Sequence, residues 1–150
     1  MTMAGLSDMT LEELAANFEA LGDWEARFGY LIDLGRDLPP MAAEDKSDAH
    51  RVHGCQAQVW MKFIPRPTAG EPVLDIVADS DAFIVKGLIA VLLMLYSGKT
   101  AAAILRIDGA QSLARLQLAE HLSPTRKNGL GAMLKRIREL AVAQAAACTN

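Results

Sequence analysis

Cysteine is scarce in this sequence: Cys55 and Cys148 are its only two. So few exclude the disulfide framework of a small secreted domain. They also exclude an intrinsic iron–sulfur cluster, which takes about four, mostly thiolate, ligands. No long run of Lys and Arg occurs and the formal net charge is −3, which argues against a nucleic-acid binder. The most apolar stretch, Ala82 to Tyr96, is interrupted by Lys86 and is shorter than the roughly 20 residues a bilayer requires. Met1 to Asp8 lacks the basic and apolar regions of a signal peptide. These absences predict a cytoplasmic protein with free thiols that engages neither membrane nor nucleic acid.

What is present suits one domain. The chain has 150 residues, half of them hydrophobic, enough for one continuous core. Charges are interspersed, and neither a repeat nor a linker breaks the pattern, so residues 1–150 read as a single domain with 1–9 and 143–150 as flexible ends. Thr10-Leu11-Glu12-Glu13 forms a capping box, and Leu11, Leu14, Phe18 and Leu21 follow at helical spacing. Gly22 ends that helix. Asp23 caps a second, with Trp24, Phe28, Leu31, Ile32 and Gly35 on its buried face, and Leu38-Pro39-Pro40 stops it.

Met41 to Arg51 reads as surface loop or a short helical turn. Gln58 to Ile64 alternates as a strand with Val59, Met61 and Phe63 on one face. Pro65 to Pro72 is a hairpin connection, and Val73 to Ala78 is the returning strand. The sheet edge is open to extension back to Val52. Ser80-Asp81 begins a helix, its carboxylate near the positive end of the dipole. That helix, Ala82 to Tyr96, is apolar on nearly all sides and is the expected central one. Short helices are predicted over Thr100 to Leu105 and Gln111 to Leu118, with Asp108-Gly109 as a turn between them. Ser123-Pro124 starts a final helix, with fraying from Ala141. Helices, hairpin, then helices imply an α+β fold, a small antiparallel sheet packed against several helices.

Three residues invite chemistry. Cys55 follows Gly54, whose backbone freedom lets a loop turn sharply before the strand. Such a cysteine serves either as a small buried hydrophobe or as a sulfur that moves in and out of a pocket. His53, two residues away, shares a face with Cys55 if the segment is extended, and is otherwise a solvated loop histidine. His50 and His53 match none of the usual zinc spacings. Arg126, near the start of the last helix, fits an anion site or plain solvation. Nothing in the Ala-rich tail positions Cys148.

Four segments together resemble the SufE family of cysteine desulfuration proteins. They are Leu31-Ile32-Asp33-Leu34-Gly35 with Leu38-Pro39; Val52-His53-Gly54-Cys55-Gln56 with Gln58-Val59-Trp60; Ser80-Asp81-Ala82 with Ile84-Val85-Lys86-Gly87-Leu88; and Leu122-Ser123-Pro124 with Arg126, Asn128-Gly129-Leu130 and Ala132-Met133. The resemblance spans residues 10 to 142 and keeps the family's order. It implies a fold shared with IscU-type scaffolds. The implied role is that of sulfur acceptor and activator for a pyridoxal-phosphate cysteine desulfurase of the SufS or CsdA kind, delivering to a SufBCD-type cluster scaffold. No cofactor is implied on this chain, since the pyridoxal phosphate belongs to the partner, and monomer and homodimer both stay open. Cys55 matches the persulfide-carrying cysteine. Arg126 matches an arginine near it that would stabilise thiolate or persulfide, and Asp81 matches an aspartate close to the cysteine loop that would help position that loop. Gln56 is placed as a hydrogen-bond donor beside the sulfur. Two departures stand out: Ala57 replaces the usual serine, and Thr125 and Lys127 flank the arginine where serines are common. The resemblance gives His53 no catalytic role.

Overall fold

The computed structural model describes residues 10–148. The expected flexible end at 1–9 lies outside the described residues, as do 149 and 150. Among the described residues, six α-helices surround a three-stranded antiparallel sheet. In chain order they are α1 (Leu11–Leu21), α2 (Trp24–Arg36), β1 (Val59–Arg66), β2 (Val73–Ser80), α3 (Phe83–Tyr96), β3 (Lys99–Thr100), α4 (Ala101–Arg106), α5 (Gly109–Arg115) and α6 (Pro124–Cys148). The sheet order is β1-β2-β3. No helix among the described residues is long and apolar enough to cross a membrane.

Local chemistry explains most of the boundaries. The Thr10 hydroxyl accepts from the Glu13 amide at 3.1 Å, and the Glu13 carboxylate accepts from the Thr10 amide at 2.9 Å, which closes the capping box. Asp23 accepts from the Ala26 amide at 2.8 Å and opens α2. Between them Gly22 takes φ +82°, a left-handed turn that glycine adopts without strain. β1 runs two residues past the expected end, with Pro65 opposite Leu74 and Arg66 opposite Val73. Proline is tolerated there because β1 is an edge strand and needs fewer ladder donors.

Two further differences have local causes. The Asp108 carboxylate accepts from the Gln111 amide at 3.0 Å, so Asp108 caps α5 instead of forming a free turn, and the helix starts at Gly109. The last helix, expected to fray from Ala141, continues to Cys148 with Ala141 fully buried. Alanine is the best helix former, and a buried anchor extends what propensity begins. A short 3₁₀ turn over Ala119–His121 before α6 has no sequence signal.

The core centres on α3. Val85, Gly87 to Met94 and Tyr96 are all buried, so from Val85 on this helix is almost wholly enclosed, while Phe83 in its first turn is 68% exposed. Each fully buried Leu or Ile there contributes about 1.5–3 kcal/mol. Leu14 and Phe18 of α1, Leu31 and Leu34 of α2, Met61 of β1, Leu74 and Ile76 of β2, and Met133 and Ile137 of α6 join it in one cluster. The far end of α3 is tied to β2: the Ser97 hydroxyl accepts from the Ile76 amide at 2.9 Å, and the Gly98 amide donates to the Leu74 carbonyl at 2.8 Å.

α2 and α3 approach at backbone distance. A methyl group on Gly35 would lie 2.6 Å from the Gly87 amide nitrogen, and one on Gly87 would overlap the Leu31 carbonyl oxygen. One buried carboxylate completes the scaffold. Asp79 is 7% exposed and pairs with Lys46 at 3.1 Å and Lys86 at 3.5 Å, which offsets the cost of burying its charge.

Gly87→Ala is expected to destabilise the protein by about 1–3 kcal/mol, because the two helices must separate. Gly29→Ala, on the same α2 with open space around it, is expected to stabilise it by about 0.4–1 kcal/mol. Urea denaturation midpoints of the two variants against the parent check both signs.

Candidate functional site

Residues 51–58 form a loop pinned at its base. Arg51 bridges to Trp60, and the Val52 amide donates to the Val59 carbonyl at 2.8 Å. At the other end Asp81 and Gln58 hold each other. The Asp81 carboxylate accepts from the Gln58 amide at 3.0 Å, and the Gln58 carbonyl accepts from the Asp81 amide at 3.2 Å. The sequence places Asp81 at the helix start, near the dipole. In the structure α3 begins at Phe83 with no side-chain cap, and the Asp81 carboxylate fastens the end of the cysteine loop instead.

Between the two fastenings Gly54 takes φ +95° and Cys55 turns inward. A methyl group on Gly54 would press the Ala132 side chain at 3.2 Å, so the loop lies tightly on α6. Cys55 is half-buried, and its thiol donates to the Gly129 carbonyl at 3.5 Å, early in α6. A methyl group on Gly129 would meet the sulfur at 3.6 Å, an ordinary contact.

The sulfur faces a cavity of about 280 Å³. Ala82, Val85, Leu88, Leu130 and Met133 make its apolar side, while Gln56, Ser123, Thr125 and Arg126 make its polar side. The structure therefore brings Cys55, Gln56 and Arg126 to one cavity, with Asp81 outside it as a loop fastener. Gln56 and Arg126 are exposed. The Ser123 hydroxyl accepts from the Arg126 amide at 3.3 Å and fixes the first turn that carries this arginine. Ala57 and Thr125, the two departures noted in the sequence, line the same space.

His53 does not join the thiol. It is exposed and lines a second cavity, of about 560 Å³, on the other side of Gly54. The His50 ring nitrogen Nδ1 sits 2.9 Å from the Asp45 carbonyl oxygen, a structural contact. Among the described residues no three His, Cys, Asp or Glu side chains gather as a metal site would require.

Burial pushes the Cys55 thiol above its ordinary pKa, and the positive charge of Arg51 pulls it part of the way back. At neutral pH the thiol is mostly protonated, as its hydrogen bond to a carbonyl requires. Arg51 carries no signal of this role in the sequence. It sits four positions before the cysteine in a polar stretch, and only the bridge to Trp60 brings its charge to bear on the sulfur. The Gly129 carbonyl is likewise invisible there, since a backbone acceptor 74 residues away has no local signature.

The chain is also similar to known proteins in sequence and fold. Residues 12–141 match the family model described as SufE, Fe–S metabolism associated domain. An uncharacterized SufE-like protein of Rhizobium etli is 41% identical over 138 residues, covering 92% of this chain and 93% of its own. One from Rhizobium meliloti is 40% identical over 129 residues, covering 86% and 92%. The solution structure of a hypothetical protein from Thermus thermophilus superposes with a TM-score of 0.70 at 22% identity, over 91% of this chain and 96% of that one. At that identity the last match speaks for the fold alone.

The pH at which the free protein's rate of Cys55 alkylation reaches half its maximum is expected to lie above about 8.5, the midpoint of an unperturbed thiol. Arg51→Met removes the charge that favours the thiolate and is expected to move the profile further up. A midpoint at the unperturbed position, or one that does not respond to Arg51→Met, would contradict the assignment. Asp81→Ala releases the loop end and is expected to speed alkylation several-fold at fixed pH, read by mass of the labelled Cys55 peptide.

Proposed function

The chain belongs to the SufE family of Fe–S metabolism proteins, and we propose that within it Cys55 accepts sulfur from a cysteine desulfurase of the SufS or CsdA type and carries it to a SufBCD-type cluster scaffold. The observation that supports this most directly is the placement of Cys55. Its sulfur rests on a glycine-hinged turn, fastened at both ends, over a cavity that also holds an arginine.

The transfer step is a thiol exchange. The Cys55 thiolate attacks the outer, sulfane sulfur of a persulfide on the desulfurase. A bond forms between Cys55 Sγ and that sulfur, the sulfur–sulfur bond of the donor breaks, and the donor cysteine leaves as thiolate. No net oxidation occurs, and the proton lost by Cys55 balances the one the donor thiolate regains. The pyridoxal phosphate belongs to the desulfurase. Gln56 donates hydrogen bonds beside the sulfur, and Arg126 favours the anionic thiolate and persulfide.

Reaction requires the loop to leave its inward position. In the free protein the raised thiol pKa and the apolar wall restrain reaction with stray oxidants and electrophiles. Docking shifts the loop outward only to the extent that the desulfurase prefers the open form. A reducing cytoplasm keeps the empty thiol available.

After incubation with a desulfurase and cysteine, the Cys55 peptide is expected to gain one sulfur atom by mass spectrometry. Cys55→Ser is expected to abolish both sulfur acceptance and stimulation of the enzyme, and Cys148→Ser to leave them intact. Arg126→Ala is expected to slow acceptance by about tenfold while folding normally, because an exposed first-turn residue carries little core packing. Stimulation that survives Cys55→Ser would point to an adaptor that carries no sulfur. Alkylation of Cys55 is expected to accelerate when saturating desulfurase, its own cysteine removed, is added; an unchanged rate would rule out the docking-driven opening.

A further inference from the structure

The second cavity lies behind the Cys55 turn, and the transfer step above does not use it. Its floor is the backbone of Gly54, one side is Arg51 and His53, and the other is the α6 face bearing Lys135 and Arg136. α6 carries five basic residues and one acidic residue on a chain whose net charge is −3. It is thus a positive pole on an acidic protein. Arg126 and Lys127 stand on its first turn, next to the Cys55 cavity, and Lys135 and Arg136 stand two turns on, so the basic side chains flank both sides of the cysteine loop.

Internal neutralisation is incomplete. Two carboxylates line the groove, Asp48 and Glu139. Glu139 is 3.4 Å from an Nη of Arg136. Among the described residues no ion pair is formed by Arg51 or Lys135. The Nε atoms of both Arg51 and Arg136 are buried without a hydrogen-bond partner. Both guanidinium groups are therefore laid against the protein surface and partly desolvated; Arg136 is paired with Glu139, and the charges of Arg51 and Lys135 are left without an ion-pair partner among the described residues. A groove built this way gains from an incoming carboxylate and incurs little further ordering cost.

We propose that this groove is the seat for an acidic segment of the desulfurase, whose Asp or Glu side chains lie between Arg51 and Lys135 while its reactive cysteine reaches Cys55. The inference rests on the carrier reading above and specifies how the partner is recognised. The occupant is a protein segment because the groove is continuous with the cysteine turn, through Gly54, where the enzyme must dock in any case. A nucleic acid is disfavoured because no Phe, Tyr or Trp lines the groove for base stacking, and His53 is the one ring there. Charge recognition here sets orientation and encounter rate, and leaves the chemistry to Cys55.

The test uses Asn128→Asp with Lys135→Glu, two exposed groove positions on α6 that do not touch the thiol. Binding of the full-length protein to the desulfurase is measured by calorimetry at about 50 mM and about 500 mM salt. The parent is expected to bind at least about tenfold more tightly at low salt, and the double variant to lose most of that salt dependence along with about tenfold in affinity. Persulfidation of Cys55 by a small-molecule persulfide is expected to be the same in both, which shows the variant folded and its thiol competent. Equal affinity and equal salt dependence in parent and variant, with sulfur transfer from the enzyme intact, would overturn the groove assignment alone. A parent that takes no sulfur from the enzyme would overturn the carrier reading and this inference with it. Competition for the parent groove by single-stranded RNA, but not by a polyglutamate peptide, would assign the charge to nucleic acid and also overturn the proposal.

Discussion

The contact between Gly35 and Gly87 sets the depth at which the central helix sits. Because neither residue has a side chain, α2 closes onto α3 at backbone distance, and α3 in turn is buried over most of its length. The position of its first turn follows. Ala82, Val85 and Leu88 then form the wall that the Cys55 sulfur faces, and Asp81, one residue before Ala82, meets the end of the cysteine loop. Lys86, beside the same glycine contact, reaches back to the buried Asp79, which also holds Lys46 from the segment leading into the loop. A packing constraint between two helices thus fixes both the wall of the site and the fastenings around it.

At the sulfur two opposed effects meet. Removal from water favours the neutral thiol, and the Arg51 charge favours the thiolate. Burial wins in the resting protein, and the hydrogen bond to the Gly129 carbonyl works in the same direction, because only a protonated thiol can donate it. Both restraints depend on the loop lying inward. An outward loop regains water on the sulfur and gives up the carbonyl, so the motion that exposes the thiol also makes it more acidic. Access and reactivity are coupled through one displacement.

Much of this is legible in the sequence where the cause is local. The Thr10–Glu13 box, the Asp23 cap, the alternation of Val59 and Met61, and the apolar α3 all act within a few residues, so their signatures lie side by side in the chain. The candidate cysteine stands out for its glycine and for the family pattern around it. Asp108 is harder, since Asp-Gly suits both a turn and a helix cap, and α5 starts two residues before the expected Gln111. The alanine tail misleads because exposed alanine predicts fraying, while one buried contact, Ala141, extends the helix. Arg51, the Gly129 acceptor and the buried Asp79 are out of reach. Each acquires its meaning from a partner brought close by the fold, and a polar residue in a polar stretch gives no hint of that.

The bond from Cys55 to Gly129 has one more consequence. Sγ donates through its own proton, and once a second sulfur is attached Sγ has none left to give. On the carrier reading, the empty chain is latched by that bond, whereas a loaded chain has no proton on Sγ with which to make it. On that reading, cargo sets the resting posture of the loop. If the proposed carrier role holds, a donor enzyme and a recipient scaffold would meet two different surfaces on one molecule, and could tell a vacant courier from a full one by shape, before any chemistry begins.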